Sequence, residues 1–465
     1  MVMLAGCVPS GNGDAGSHRP GKQTVPVPTS DDPIEVSLQV GCSLDPENAL
    51  RAWCDVHASP PSRVDISFAK SDGTGLERIH SAPAGATEIG LYIMAGDTDY
   101  RWEATVPSDP TAFASGEFTT DIVPEGARVS VIPTGVSSAN YFLMTSPCLS
   151  SGVAVVITPD GEVVWYQRAT PGTEDSEHLF GVSWTEDNTV LVGYHGGVTE
   201  VGWMGDIRFR VDRFVDFTEN IHHDAFKRNG HIYVLFHENV SFHGETYSMD
   251  GLVIFDDEGV TVADWRLQDV FQPPAPQNVP GVIDYTHSNA VFVAEDGDIL
   301  LSIRHLSAVA KIDGDLTSPD FGQIIWRLGG DENNADFGTD FLLDGPPAKE
   351  NSFAFQHNVH WLPDGRMAMF DNRAVGVQDS RLLVLDVDET TMVAEIDDAY
   401  DLGKHCRYQG SAWHTAQGNP VATCAPANEL YEFTAGVHDE PVYEAVVYCA
   451  GGSDTFIPRF VPVTP

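Results

Sequence analysis

Positive charge is scarce in this chain. Only 25 of its 465 residues are Lys or Arg, six of them Lys, against 68 acidic side chains, and the formal net charge is −43. A surface of that sign repels phosphate backbones and anionic headgroups, which excludes nucleic acid and anionic membrane faces as ordinary partners. The plain consequence of the imbalance is a solvated acidic surface that resists aggregation. No apolar run is long enough to span a bilayer. No C-x-x-C pair occurs, so a structural zinc site built on thiolates is not expected.

The seven cysteines divide into one and six. Leu4-Ala5-Gly6-Cys7 has the pattern at which a bacterial lipoprotein precursor is cleaved, making Cys7 the lipid-bearing terminus. Ser10 to Asp32 is built from Gly, Ser, Pro and Asp, a composition that cannot pack a core. Residues 1–32 therefore read as a signal remnant and flexible linker of an exported protein, periplasmic or on the cell surface, with a lipid anchor at Cys7. The other six, Cys42, Cys54, Cys148, Cys406, Cys424 and Cys449, form an even set expected to pair as disulfides. Fifteen pairings are open. Cys42 with Cys54 would close a short loop, and Cys148 and Cys449 flank the two ends of the later domain.

Residues 33–122 carry short alternating segments, IEVSLQV, VDISFAK, EIGLYIMA, YRWEATV and GEFTT, separated by turn residues. That pattern is expected to form a small immunoglobulin-like or fibronectin-like β-sandwich, with a spacer or docking role. Over residues 123–465 the texture changes to strand pairs broken at Asp-Gly, Asn-Gly and Glu-Gly, the dipeptides of tight hairpins. One unit recurs six times, beginning near Val153, Val182, His222, His287, His357 and Gly410. Six units of four short strands point to an all-β chain whose larger part is a six-bladed β-propeller. Such a ring must close, and YFLMTS near Tyr141 with FIPRFVPV near Phe460 are expected to share one blade.

Histidine marks the same place in three of these units. His222 stands eight residues before Gly230, His357 eight before Gly365, and His287 ten before Gly297. Residues leading the first strand of each blade face the central channel, so these three are expected to converge there. His223, beside His222, is the alternative at that position. Strand alternation places Asn289 on the face of His287, and the hairpin partner SIRH returns Arg304 beside them. Three imidazoles, an amide and a guanidinium suit an anionic tetrahedral or trigonal group. No G-x-S-x-G accompanies them, which argues against serine-type hydrolysis. His195, His237, His243, His360, His405 and His414 lack the shared position and read as structural or rim residues. Asp371 and Asn372 read as turn or supporting groups.

The strings HHD, HSNAV followed by SIRHLSAVAKID and WRLGG, and QHNVHWLPDGRMAMFDNR resemble the bacterial arylsulfate sulfotransferase family over most of Pro124 to Pro465. The resemblance implies an exported six-bladed propeller behind an N-terminal β-sandwich. It implies transfer of a sulfuryl group from a small aryl sulfate donor to a phenolic acceptor, independent of PAPS and without a cofactor or metal. The histidine of the QH position, here His357, would be transiently sulfated in a ping-pong cycle. His222 or His223, His287, Asn289 and Arg304 would bind the transferred group. The chain departs from the family's expected neighbours at SIRHLS and FDNRA, which bears on acceptor preference.

Two other classes fit parts of the pattern. His222, Asp224, His287 and His357 offer metal-ligand types for lyase or hydrolase chemistry, although Arg304 beside a divalent ion is unfavourable. A non-catalytic, surface-tethered binding propeller would keep the same histidines as an anion site. Nothing in the composition sets an oligomeric state.

Overall fold

The protein is described by a computed structural model covering residues 35–148, 152–169, 179–330, 337–343, 352–373, 378–438, 440–451 and 455–465. Leu4 to Cys7 and the linker Ser10 to Asp32 lie outside the described residues. Among those described, no helix is long and apolar enough to cross a membrane.

Strict alternation dominates the early strands, as in Asp99–Val106, where every second residue is buried. Such a strand has one wet face and one dry one, so it must stack on a second sheet. Two antiparallel sheets do this. Ser37–Leu44, Ala52–Ser59 and Glu88–Leu91 make one, and Arg78–Ala82, Val64–Lys70, Asp99–Val106 and Asp109–Thr119 make the other. Val56, Ile66, Phe68, Leu91, Trp102 and Ala104 fill the shared core. Cys42 and Cys54 face each other across the first sheet and are joined by a disulfide. Ala52–Ser59 and Arg78–Ala82 were not among the strands expected from sequence.

Beyond residue 128 many of the inner strands are buried on both faces, as in Val153–Ile157, Val190–Tyr194 and Ala308–Ile312. Such runs belong in sheets covered on each side. Among the described residues, six small sheets follow in chain order, one for each unit read in the sequence, antiparallel except for the edge strands Val282–Asp284 and Leu342–Leu343. Their leading strands stand side by side. Leu179–Trp184 neighbours Tyr141–Thr145 and Asn220–Arg228; Ser288–Val293 lies between Asn220–Arg228 and His357–Trp361; Ser411–His414 lies between His357–Trp361 and Phe460–Val463. The turn glycines used to align the units, Gly230, Gly297 and Gly365, all have positive φ, where a side chain is disfavoured. Asn229 and Gly230 are both left-handed, as a type I′ hairpin demands.

Hydrogen bonds link successive sheets at one level. Ser183 Oγ donates to Ala225 O (3.3 Å), the Val291 amide to Asp224 Oδ2 (3.0 Å), Asn289 Nδ2 to Gln356 O (2.8 Å) and the Ala412 amide to Asn358 Oδ1 (3.0 Å).

Distant parts of the chain meet in two sheets. Phe460–Val463 pairs with Tyr141–Thr145, as expected, and Cys148 is bonded to Cys449. Val129–Gly135 also adds to the last sheet along Tyr443–Cys449, a pairing not anticipated. The third disulfide joins Cys406 to Cys424. Three disulfides fit an exported chain in an oxidising compartment.

Candidate functional site

The leading strands do not run straight where the expected site residues stand. Between Ile221 and Ala225 the register shifts, so that His222, His223 and Asp224 face a single residue of the neighbouring strand. Shifts recur between Ser288 and Ala290 and between His357 and His360. Bulges of this kind re-aim side chains. His223, His287, Phe355, Asn358 and Gln409 all have left-handed backbones near +50° in φ. Each costs about 1–3 kcal/mol in a non-glycine residue, and such strain gathers at functional sites.

The three sheets bring their histidines together. His223 Nε2 is 3.0 Å from His287 Nε2, and the His223 ring centroid is 6.2 Å from that of His357. His222 packs edge-on to His223 at 5.0 Å, with its Nε2 3.1 Å from Asp250 Oδ1. Repeat position pointed to His222; the positive φ at His223 makes it the member of the pair that touches His287.

Hydrogen-bond partners set the tautomers. Gln409 Nε2 donates to His223 Nδ1 (3.3 Å), so His223 carries its proton on Nε2 and presents it to His287 Nε2. His287 then keeps its proton on Nδ1 and donates it to Asp284 Oδ2 (2.6 Å). His357 Nδ1 faces two acceptors, Asn372 Oδ1 at 2.7 Å and Phe355 O at 3.1 Å. The Asn372 amide cannot turn over, because its Nδ2 donates to Cys406 O and Gln409 O. His357 therefore holds its proton on Nδ1 and keeps a lone pair on Nε2.

Asn289 and Arg304 are placed differently from expectation. Alternation from His287 fails across the bulge, and Asn289 instead donates to the carbonyl of Gln356, which precedes His357. Its Oδ1 is buried without a hydrogen-bond partner among the described residues. Arg304 opens a short 3-10 turn rather than continuing a strand, and its amide donates to His287 O (3.3 Å). Its guanidinium lies over the Phe355 ring and donates to Arg407 O.

Electrostatics favour neutral imidazoles at His223 and His357. Burial, then the neighbouring His222, His287, His357 and Arg459, hold His223 well below the ordinary histidine range. Burial and Arg304 do the same for His357, against the opposing bond to Asn372. Burial pushes the Asp284 carboxyl up, but the bond from His287 and the charges of His287, His305 and His222 outweigh it and keep it low. Asp250 follows the same balance with His222, Thr286 and the Ser288 amide.

Several members went unread in the sequence. Arg459 is buried and its Nη1 lies 2.6 Å from Asp224 Oδ1. It immediately precedes Phe460–Val463, so the rule that located the histidines would have found it. His305 stacks on His287 at 4.6 Å, and His237, expected to be structural, packs on His222 at 5.0 Å. Gln409 and Asp284 had no repeat position to mark them. Asp224 is engaged by Arg459 and Val291, so the metal set of His222, Asp224, His287 and His357 is not gathered as a unit. Among the described residues, Asp284, His287 and His305 do bring ligand-type atoms within 4.8 Å of one another.

Residues 134–404 match the family model described as Arylsulfotransferase (ASST). No curated protein matches the chain. Among solved structures, a protein of unknown function from Bacteroides caccae is similar at 12% identity and TM-score 0.40, covering 70% of this chain and 100% of its own. The Pan2 WD40 domain of Neurospora crassa is similar at 9% identity and TM-score 0.38, covering 70% and 91%.

Proposed function

The chain belongs to the arylsulfotransferase family, and from that premise we propose that it moves a sulfuryl group from an aryl sulfate to a phenolic acceptor through a sulfo-histidine at His357. The observation that carries this reading is the Asn372 contact, which leaves Nε2 of a buried, neutral His357 as the basic nitrogen.

In the first half-reaction His357 Nε2 attacks sulfur, the S–N bond forms and the S–O bond to the aryl group breaks. The aryl group leaves as phenolate, which takes up a proton from water. In the second, a phenol oxygen attacks the same sulfur, the S–N bond breaks, and the proton of the acceptor passes to the histidine pair. Asp284 behind His287 stabilises the cation formed there. Charge on the three sulfuryl oxygens is met by Arg304 and the histidines, as phosphoryl-type transfer requires, while Asn289 holds the Gln356 carbonyl beside His357. A phenol has a pKa of about 10, so it leaves readily when a proton is supplied. The net charge of −43 opposes an anionic donor only weakly, since screening beyond about 8 Å leaves the local cations in control.

The side-by-side leading strands, with Phe460–Val463 returning to the first sheet, support a closed six-bladed propeller over residues 123–465. The two early sheets support a separate sandwich over residues 33–122, and Cys7 would anchor the exported chain to a membrane surface.

Incubation with 4-nitrophenyl sulfate and phenol tests the function. Nitrophenol release and a mass gain of one sulfo group are expected for the wild type and lost in His357→Ala. Absence of both from the wild type, or their persistence in the variant, overturns the reading.

A further inference from the structure

Asp284, His287 and His305 are arranged for more than anion recognition. Asp284 ends the short strand Val282–Asp284, which lies parallel to Glu245–Asp256 at the margin of the third sheet. His305 sits on the 3-10 turn after Ile299–Ile303, its amide bonded to Thr286 O. The two elements lay one imidazole on the other, with ring centroids 4.6 Å apart and planes inclined by 26°. Between them stands the Asp284 carboxylate, with Oδ2 2.6 Å from His287 Nδ1 and 3.9 Å from His305 Nδ1. All three side chains are partly open to solvent.

We propose that these residues form a divalent transition-metal site whose occupation shuts the transfer site. Two imidazoles and a carboxylate are the donor set that suits Zn²⁺, Ni²⁺ or Cu²⁺ rather than Ca²⁺ or Mg²⁺, which prefer oxygen alone. Zn–N and Zn–O bonds of about 2.0–2.2 Å place tetrahedral donors roughly 3.5 Å apart. The observed 2.6 and 3.9 Å bracket that spacing; His305 Nδ1 now bonds to Asp284 O at 2.8 Å, and it gives up that bond and its proton to admit the ion. The metal would replace the proton that His287 Nδ1 gives to Asp284, with that proton released to solvent.

The consequence for transfer rests on the function proposed above; binding does not. A metal on His287 removes its response to His223 and occupies the carboxylate meant to stabilise its cation.

The test uses the untagged full chain. Equilibrium dialysis against Zn²⁺ should show one tightly held ion in the wild type, with affinity at least about tenfold weaker in His305→Ala and Asp284→Asn, since even outer-shell changes cost metal sites about 10–100-fold. In the transfer assay Zn²⁺ should inhibit the wild type, reversibly with EDTA, while whatever rate His305→Ala keeps should no longer respond to Zn²⁺. Wild-type binding no tighter than His305→Ala overturns the site. Binding as expected with an uninhibited wild-type rate overturns the shut-off. A wild type inactive without metal sinks the transferase reading and leaves the binding result to decide the site.

Discussion

Arg459 and Asp224, 235 positions apart, form a buried ion pair, with Nη1 2.6 Å from Oδ1. It ties the segment before Phe460–Val463 to the third sheet, beside the histidines. Removing one partner strands a buried charge, which costs about 3–5 kcal/mol. Arg459→Met and Asp224→Leu alone should each lower the thermal midpoint strongly. The double variant should recover a large part of the loss, as a double-mutant cycle by calorimetry will show.

Asn372 should prove a positioning residue for His357. With Asn372→Ala nothing but Phe355 O holds the Nδ1 proton, and the nucleophilic tautomer is no longer enforced. The expected result is a fall in kcat on the order of 10²-fold with KM little changed, by analogy with other lost histidine orienters. A matching rise in KM would point to substrate contact instead.

Transfer should persist at acid pH. His357 and His223 are both held well below the usual histidine value of about 6.5, so the nucleophile stays unprotonated as pH falls through that value. In single-turnover sulfation of His357, the acidic limb should lie below pH 6.5. A limb centred there or above would place an ordinary, solvated histidine at the chemical step.

Stability should decline over a defined acid window. Burial, chiefly, holds His360 at about 4, and burial together with His360 holds His414 at about 4. Between pH 6.5 and 4 the unfolded chain takes up protons at these positions and the folded chain does not, so stability rises with pH across that interval. Asp250 and Asp284 have depressed values and contribute only below it. Thermal midpoints from pH 7 to 4 should fall for the wild type and more gently for His360→Phe.

The Cys148–Cys449 disulfide spans 301 residues. Its loss should lower stability by up to about 5 kcal/mol, because it restricts so long a loop in the unfolded chain. Denaturant midpoints of Cys148→Ala/Cys449→Ala against the wild type measure this directly.

The repeating sheets were legible because hairpin chemistry is local: Asn229-Gly230 declares its turn without help from the rest of the chain. His287 and His357 were legible because repetition marks position. His223 over His222 was not, since the choice turns on a bulge and a positive φ that no periodicity records. Asn289 was found for the wrong reason, alternation that the bulge breaks, and its partner Gln356 belongs to the next sheet. Asp284 and Gln409 come from connections between strands, and what a loop side chain meets depends on tertiary placement. Val129–Gly135 escaped notice because its partner, Tyr443–Cys449, lies some three hundred residues on.

That pairing and the one between Tyr141–Thr145 and Phe460–Val463 impose an order on the protein's making. As the chain is synthesised, the second to fifth sheets can form from contiguous segments, while the first and last wait for residues beyond 440. Arg459 arrives with them, bringing the charge that Asp224 needs. Until then Asp224 lacks its cation and Val129–Gly135 lacks a partner strand, so the centre that holds the histidines is completed only once the residues beyond 440 are in place.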